Sequence, residues 1–362
     1  MSSHAKEWAV DRQKERAQLE KYRVFTRVKK EDIPDRINPV DTNWVYDVKR
    51  KTDESIEKYK AHKVGRGFTQ IDEISYDSEQ TYAQMMRPET LKMLIVIALH
   101  RQWDILQWDV IAAYLQAELH HDVYVSDVNE DGELQYWKLN KTLYGIKQAG
   151  HEWYKTLERI LQIAALKQCI ADEGTYTDGN ATIGTHLDDL IGIAPPGQLE
   201  KIASSIEQSV ELDNKGRPGK MLGMELTWNK KGTEVILTHT LLIENMMKSH
   251  FKKPVHGKGC SLPLDEKLFL EGDHKGVDQK HFQSIVGGLL FVAPMTRPEI
   301  SIQVNLLGRR ASKPNPLNMK AALTILEYLH STKFEGIILK RHMNLELKIF
   351  ADAKYGGEKA RS

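Results

Sequence analysis

Cysteine is nearly absent: Cys169 and Cys260 are the two in 362 residues, with no CxxC pair and no histidine nearby at ligand spacing. That argues against a disulfide framework or a zinc module and fits a reducing compartment. Long apolar runs are missing too. The longest, Leu91 to Leu99, is broken by Lys92 and is far too short to span a bilayer. The start, MSSHAKEWAVDRQKERAQLEKY, is charged and helical in pattern and lacks the apolar centre of a secretory signal. No internal repeat and no low-complexity linker is visible. Net charge is only +1, so the whole molecule exerts little pull on a polyanion.

What is present suits a globular chain: 41% hydrophobic and 28% charged residues, at a length that allows two or three subdomains with real cores. The distribution of charge says more than its sum. Lys58 to Gln70 holds Lys58, Lys60, Lys63 and Arg66 without an acid, and Met246 to Cys260 holds Lys248, Lys252, Lys253 and Lys258 without one. Two such segments can follow a phosphate backbone. Charge alone leaves a second reading open, in which both are solvated faces.

Along the chain, residues 5–30 read as a polar, peripheral helix. Pro34 and Pro39 then break the chain before a strand at Trp44–Lys51, a hairpin tip near Asp53–Glu57 and a returning strand in KYKAHKVGRGFTQ. Residues 89–101 have helical spacing; WDILQWDV alternates as a strand and runs into the helix IAAYLQAEL. DVYVSDV and YWKLN are short strands, and HEWYKTLERILQIAAL is an amphipathic helix. TYTDGNATIGTHLDDLIGIAPP reads as strand, turn, strand, Asp-Asp turn, strand. A helix over 198–212, a Gly/Pro turn in NKGRPGK and the hairpin MLGMELTWNKKGTEVILT follow. Helices dominate after Leu241, with a loop near 255–278, and LELKIFADAKYGG opens as a strand. Frequent hairpins among helices imply an α+β fold with an antiparallel sheet, not a doubly wound parallel one.

Two places put aspartate where an apolar strand ends. Asp109 follows ILQW, and Asp188 and Asp189 sit inside IGTHLDDLIGIA. A carboxylate there is costly without a cation or donors, and gathering three adds like-charge repulsion that a pair of divalent metals would offset. Such a site performs phosphoryl or nucleotidyl transfer. Taken alone, Asp188-Asp189 also reads as a turn, and Asp109 as an N-cap.

The surrounding blocks carry a resemblance. YKAHKVGRGFTQ, QWDVIAAYLQAEL, KLNKTLYGIKQAGHEWY, THLDDLIGI, MLGMELTWNKKGTEVILTHTLLIENMM, FQSIVGGLLFVAPMTRPEI and IFADAKYGG resemble, in family order, the reverse transcriptase region of copia-type LTR retrotransposons, from about Trp44 to Gly357. Seven collinear blocks are far more specific than any one. The resemblance implies a right-hand polymerase: an N-terminal helical extension over 1–43, fingers and antiparallel-sheet palm over 44–225, a helical thumb over 226–312, a connection over 313–345 and the start of an RNase H domain over 346–362.

It also implies roles for single residues. Asp109, Asp188 and Asp189 would be catalytic and hold two magnesium ions, or manganese, with the carbonyl of Val110. Lys60, Lys63 and Arg66 are candidates for gripping the triphosphate, and Tyr114 stands at the steric gate that excludes a 2′-hydroxyl. Tyr144, Gly145 and Gln148 would lie beside the nucleotide. His186, Leu222 and Gly223 would meet the primer end, and Gln283, Gly287 and Phe291, spaced by four on a helix, would track the template-primer. Asp352 would be the first carboxylate of the RNase H domain, whose remainder is not in the sequence, so RNA-strand cleavage is not expected; no integrase, protease or capsid segment is visible either. Implied partners are an RNA or DNA template-primer, dNTPs and the other products of a retrotransposon polyprotein, with no membrane. The implied location is cytoplasmic, in a virus-like particle where the element is active, or nuclear.

Departures from the family pattern keep a second function open. His186 and Leu187 stand where Tyr and Val are usual, Ile111 and Ala112 where Lys and Thr are common, and His62 and Gly65 where Arg and Ala are common. Gly150 replaces a usual Pro, Gln84 stands where Pro is expected, and Pro88 is an intrusion. The alternative is a decayed fragment that binds template-primer without turnover. A third reading, an unrelated α+β nucleotidyltransferase, leaves the KYKAHKVGRGFTQ and TRPEI blocks unexplained.

Overall fold

The computed structural model describes residues 4–50, 56–129, 131–251, 262, 266–270, 272–273, 276–341, 345–346 and 348–351. Helix α1 (Ala5–Lys21) ends well before residue 30: Arg23 takes a left-handed φ of 52° and the chain enters strand β1 (Phe25–Val28). The β-branched and aromatic residues of FTRV favour a pleated strand over a further helical turn. Nor is α1 peripheral. Leu19 is buried, and Asp11 and Glu15, one turn apart, accept the amides of Ala61 (2.7 Å) and Lys63 (3.2 Å) on strand β3 (Ile56–Gly65). The two carboxylates satisfy N–H groups that an edge strand would otherwise leave bare.

Three sheets follow. The first runs β1-β6-β5-β2-β3, with β2 Val40–Arg50, β5 Tyr124–Val128 and β6 Leu134–Leu139. Only its β2–β5 contact is parallel. The second runs β11-β4-β10-β9-β8-β7 and is antiparallel throughout, with β4 Asp104–Val110, β7 Lys167–Gln168, β8 Thr175–Thr177, β9 Thr182–His186, β10 Asp189–Ala194 and β11 Leu212–Gly216. The third runs β12-β13-β14-β15, with β12 Lys220–Met221, β13 Met224–Trp228, β14 Glu234–Thr238 and β15 Ile337–Lys340.

Alternation divides the second sheet cleanly. Trp108, Val110 and Leu190 pack under α4 (Ala149–Ile163) and α5 (Leu199–Ile206). Ile105, Ile191 and Ile193 pack under α2 (Pro88–Arg101), which the third sheet also covers with Met224, Val235 and Leu237. Pro88 is no intrusion here: it occupies the first turn of α2, where no amide is needed. The short α3 (Ala113–Gln116) follows β4. The helix expected over 198–212 stops at Ile206, because the stretch after it pairs with β4 as β11.

Helices α6 (Thr240–His250), α7 (Gln279–Met295), α8 (Ser301–Gly308) and α9 (Pro316–Ser331) form a bundle around Phe282, Ile285, Leu289, Ile325 and Leu326. Residues 313–345, expected as a connection, supply α9 to that bundle and β15 to the third sheet. The strand expected in LELKIF is not formed at 345–346 or 348–351. Asp352, Cys260, most of the second basic segment and the hairpin tip at 51–55 lie outside the described residues. Among the described residues no helix is long and apolar enough to cross a membrane.

Candidate active site

Asp109 lies directly opposite Asp189 on one neighbouring strand and opposite Asp213 on the other. Facing residues of an antiparallel pair share a sheet face, so the register alone lines up three carboxylates across β10, β4 and β11. Asp188 sits in the turn just beyond, where Leu187 has a φ of 56°. That turn is fixed from two sides. The amide of Val110 donates to the carbonyl of Asp188 (2.8 Å), and Trp153 Nε1 of α4 donates to the carbonyl of Leu187 (2.8 Å).

The charges press on one another. Burial raises the carboxyl pKa of Asp109, and Asp188 raises it further while Lys215 opposes. Burial likewise raises Asp188, with Asp189 adding to it and Lys60 opposing. Asp189 is raised by burial and by Asp109, against the hydrogen bond from Gln107 Nε2 (3.0 Å). Lys215 pairs with Asp213 and stands 3.9 Å from Asp109 Oδ2. The row opens into a cleft of about 1240 Å³, walled by α1 and by Lys58 and Lys60 of β3 on one side and by Met221, Leu222 and Gly223 on the other.

Among the described residues no three acidic, histidine or cysteine side chains already close a cage around an ion. The donor set nevertheless fits magnesium. It is all hard oxygen, and Mg²⁺ in phosphate-transfer sites takes one or two carboxylates and completes its octahedron with water and substrate phosphates.

The other expected residues divide. Lys60 faces the cleft, and its charge acts on both Asp109 and Asp188. Lys63 does not: it is 3% exposed, ion-paired with Asp127 and stacked over Trp44, so it cannot reach a triphosphate. Arg66 lies 3.8 Å from Asp41 and over the Phe68 ring, outside the cleft lining. Tyr114 meets Tyr144 edge to face at 5.4 Å. Burial raises both phenols, and Asp188 contributes to each. Gln148 is buried and fully engaged, accepting from Gln70 (3.0 Å) and donating to the Ser75 carbonyl (3.0 Å), so it braces the 70–75 loop and does not face a nucleotide.

His186 is half-buried, which lowers its pKa, and its Nδ1 has no hydrogen-bond partner among the described residues. Leu222 and Gly223 form a turn with φ values of 52° and 80°. A Cβ on Gly223 would stand 3.5 Å from the Phe291 ring, so α7 meets the Leu222–Gly223 turn at Phe291. Gln283 instead donates to the Ala311 carbonyl (2.8 Å), on the exposed surface of the bundle. Gly287 faces open space, whereas its neighbour Gly288 is the close packing position, against Met246.

Sequence reasoning missed several participants. Asp213 fell between the helix read over 198–212 and the turn read in NKGRPGK, and Lys215 fell inside that turn; with Leu212 the one apolar residue in LDNKG, no alternation marked the strand. His239 is buried behind the Leu222–Gly223 turn, edge-on to Phe291 at 5.4 Å and hydrogen-bonded to Thr296 (2.8 Å). Burial and Lys92 hold it neutral, with its pKa down to about 4. No local signal announces a partner so distant in sequence.

Gly145 gives a local test. Its φ is 85°, and a Cβ there would lie 2.4 Å from the carbonyl oxygen of Gly65. Gly145→Ala should cost about 2 kcal/mol or more of stability, combining left-handed strain with overpacking, read as a lower midpoint in denaturant. An unchanged midpoint would show that the Gly65–Gly145 contact is not close.

A family description reading reverse transcriptase (RNA-dependent DNA polymerase) matches residues 22–252. Over 339 residues, 90% of this chain, the sequence is 29% identical to the retrovirus-related Pol polyprotein from transposon RE1 of Arabidopsis thaliana. It is 25% identical over 365 residues, 96% of the chain, to that from transposon TNT 1-94 of Nicotiana tabacum. Against a transposon Ty1-DR5 Gag-Pol polyprotein of Saccharomyces cerevisiae the identity is 23% over 355 residues, 91% of the chain. The chain spans 22%, 27% and 20% of those relatives' own lengths.

Proposed function

Because this chain belongs to the reverse transcriptase (RNA-dependent DNA polymerase) family, in the form carried by copia-type transposon Pol polyproteins, we propose that it extends a primer 3′-hydroxyl with dNTPs along an RNA or DNA template. The observation that carries this reading is the direct register of Asp109 against Asp189, with Asp188 tied to Val110 beside it. In this reading the first sheet with α1 acts as fingers, the second sheet as palm and the helical bundle as thumb.

Asp109, Asp188 and Asp189, with the Val110 carbonyl, would hold two magnesium or manganese ions. When bound, that pair supplies a lowered pKa for the attacking hydroxyl and charge stabilisation for the leaving oxygen. The primer 3′-oxygen attacks the α-phosphorus, the bond to the β-phosphate oxygen breaks, and pyrophosphate leaves. Lys60 faces the incoming triphosphate and offsets its charge. Tyr114, held from behind by Tyr144, lies under the sugar. The Leu222–Gly223 turn and Phe291 position the primer strand. Template-primer, dNTPs and the other products of the parent polyprotein are the partners in this account.

Extension of a labelled primer on an RNA template, with Mg²⁺ and with EDTA, tests the reading; product only with Mg²⁺ is expected. His186, whose Nδ1 has no hydrogen-bond partner among the described residues and which stands where a phenol is usual, favours the second reading of binding without turnover. Salt-dependent template-primer binding with no extension would select it. Where extension occurs, Tyr114→Val should weaken discrimination against ribonucleotides by ~100-fold, about what a shaped pocket gains on one hydroxyl. An unchanged dNTP/rNTP ratio of kcat/KM would remove Tyr114 from that role.

A further inference from the structure

A second polar pocket, of about 220 Å³, lies between the C-terminal end of α2, the start of β4 and the β13–β14 hairpin. Asp104 opens β4 at this pocket, and Asp109, one residue short of its other end, faces the cleft. Five residue steps separate them, roughly 17 Å at about 3.3 Å each, so the two are distinct places.

The pocket is built from fixed parts. Trp228 Nε1 donates to the Pro218 carbonyl (2.7 Å), and the Arg217 guanidinium lies 5.1 Å from the centre of that indole. Gly232 has a φ of 66°, and a Cβ there would stand 2.3 Å from Arg217 Nη1, so the bare turn lets the guanidinium lie across it. Trp103 lines the other side, with Arg101 4.7 Å from its ring centre.

The charge is one-sided. Arg217, Lys231 and Arg341 line the pocket, and among the described residues none of them pairs with a carboxylate. The one acid in the lining, Asp104, already accepts the Gly197 amide (2.9 Å). The carbonyl end of α2 contributes only about half a negative charge. Three cations therefore converge where at most about one and a half opposing charges stand.

We propose that this pocket binds a nucleotide unit, its phosphate held by Arg217, Lys231 and Arg341 and its base laid against the guanidinium–indole surface of Arg217, Trp228 and Trp103. Guanidinium groups bond phosphate oxygens in pairs and also stack on planar rings, so one Arg can serve both parts of the ligand. The volume is below the ~300–1000 Å³ of ordinary small-molecule clefts, which suits one nucleotide and not a duplex. The unit can come from a free nucleotide or from a single strand, and the inference does not depend on the polymerase reading.

The test fills the cleft with one equivalent each of an unlabelled dideoxy-ended primer–template and its next dNTP, leaving no excess nucleotide to occupy the pocket. Anisotropy then follows a fluorescein-labelled RNA octamer in one arm and fluorescein-labelled ATP in the other. The Lys231→Glu/Arg341→Glu variant, and Lys231→Gln/Arg341→Gln should reversal unfold the chain, is expected to bind at least ~10-fold more weakly, with the salt slope reduced by about two. Loss confined to the octamer identifies a strand; loss of ATP identifies a free nucleotide. Unchanged binding of both probes in the variants, no binding in the wild type, or displacement by polyglutamate as readily as by unlabelled nucleotide would overturn the proposal. Primer extension by the same variants reads the cleft separately.

Discussion

Asparagine at Asp109 or Asp188 should reduce Mg²⁺-dependent primer extension by at least ~10³-fold, about 4 kcal/mol of transition-state stabilisation at 1.36 kcal/mol per decade, while the fold survives. Survival follows from the electrostatics. Burial and mutual repulsion raise all three carboxyl pKa values above their ordinary value. A carboxyl raised by folding binds its proton more tightly in the folded chain. Its cost to stability is thus absent below the ordinary carboxylate range, grows as pH rises toward the raised value, and is complete only above that value. Removing one charge should leave the metal-free variant at least as stable as the wild type at pH 7, with the difference vanishing in acid. A thermal melt at two pH values checks this. Extension near the wild-type rate, or a variant that fails to fold, would contradict the assignment.

Lys63→Met should do the reverse, damaging the fold and not the chemistry directly. The ammonium is buried against Asp127, which would be left with no cation in a dry site. Breaking a buried pair from one side typically costs about 3–5 kcal/mol, enough to unfold a marginal chain. Replacing both partners, Lys63→Met with Asp127→Leu, should recover much of that loss, because two apolar groups leave no stranded charge. Lys60→Met provides the contrast: a melting temperature lowered far less than in Lys63→Met, with a raised KM for dNTPs. If Lys63→Met melted normally and raised the dNTP KM, the lysine would belong to the cleft after all.

The pair Lys60 and Lys63 also shows what the sequence could have disclosed. Three residues apart on a strand, they must point to opposite faces, so they could not both grip one triphosphate. The motif blocks named the aspartates because strand alternation and tight turns are local. The approach of α1 to the edge of β3 was invisible, since it rests on Asp11 and Glu15 meeting amides about fifty residues away. Strand β15 pairs with β14 from about a hundred residues downstream, and a short apolar IILK carries no mark of its partner. Gln148 resembled a nucleotide contact by its neighbours, and only its two hydrogen bonds to the 70–75 loop show it as a brace. In each case the missing information was which distant surface a locally unremarkable side chain would meet.

The most direct measurement counts Mn²⁺ ions by paramagnetic resonance on the chain bound to a dideoxy-ended primer–template and its next dNTP. Two ions per wild-type chain, reduced in Asp109→Asn and in Asp188→Asn, are what the register of β4 against β10 leads to. A count that is zero, or that stays the same in both variants, would mean that Asp109, Asp188 and Asp189 stand side by side without sharing a metal.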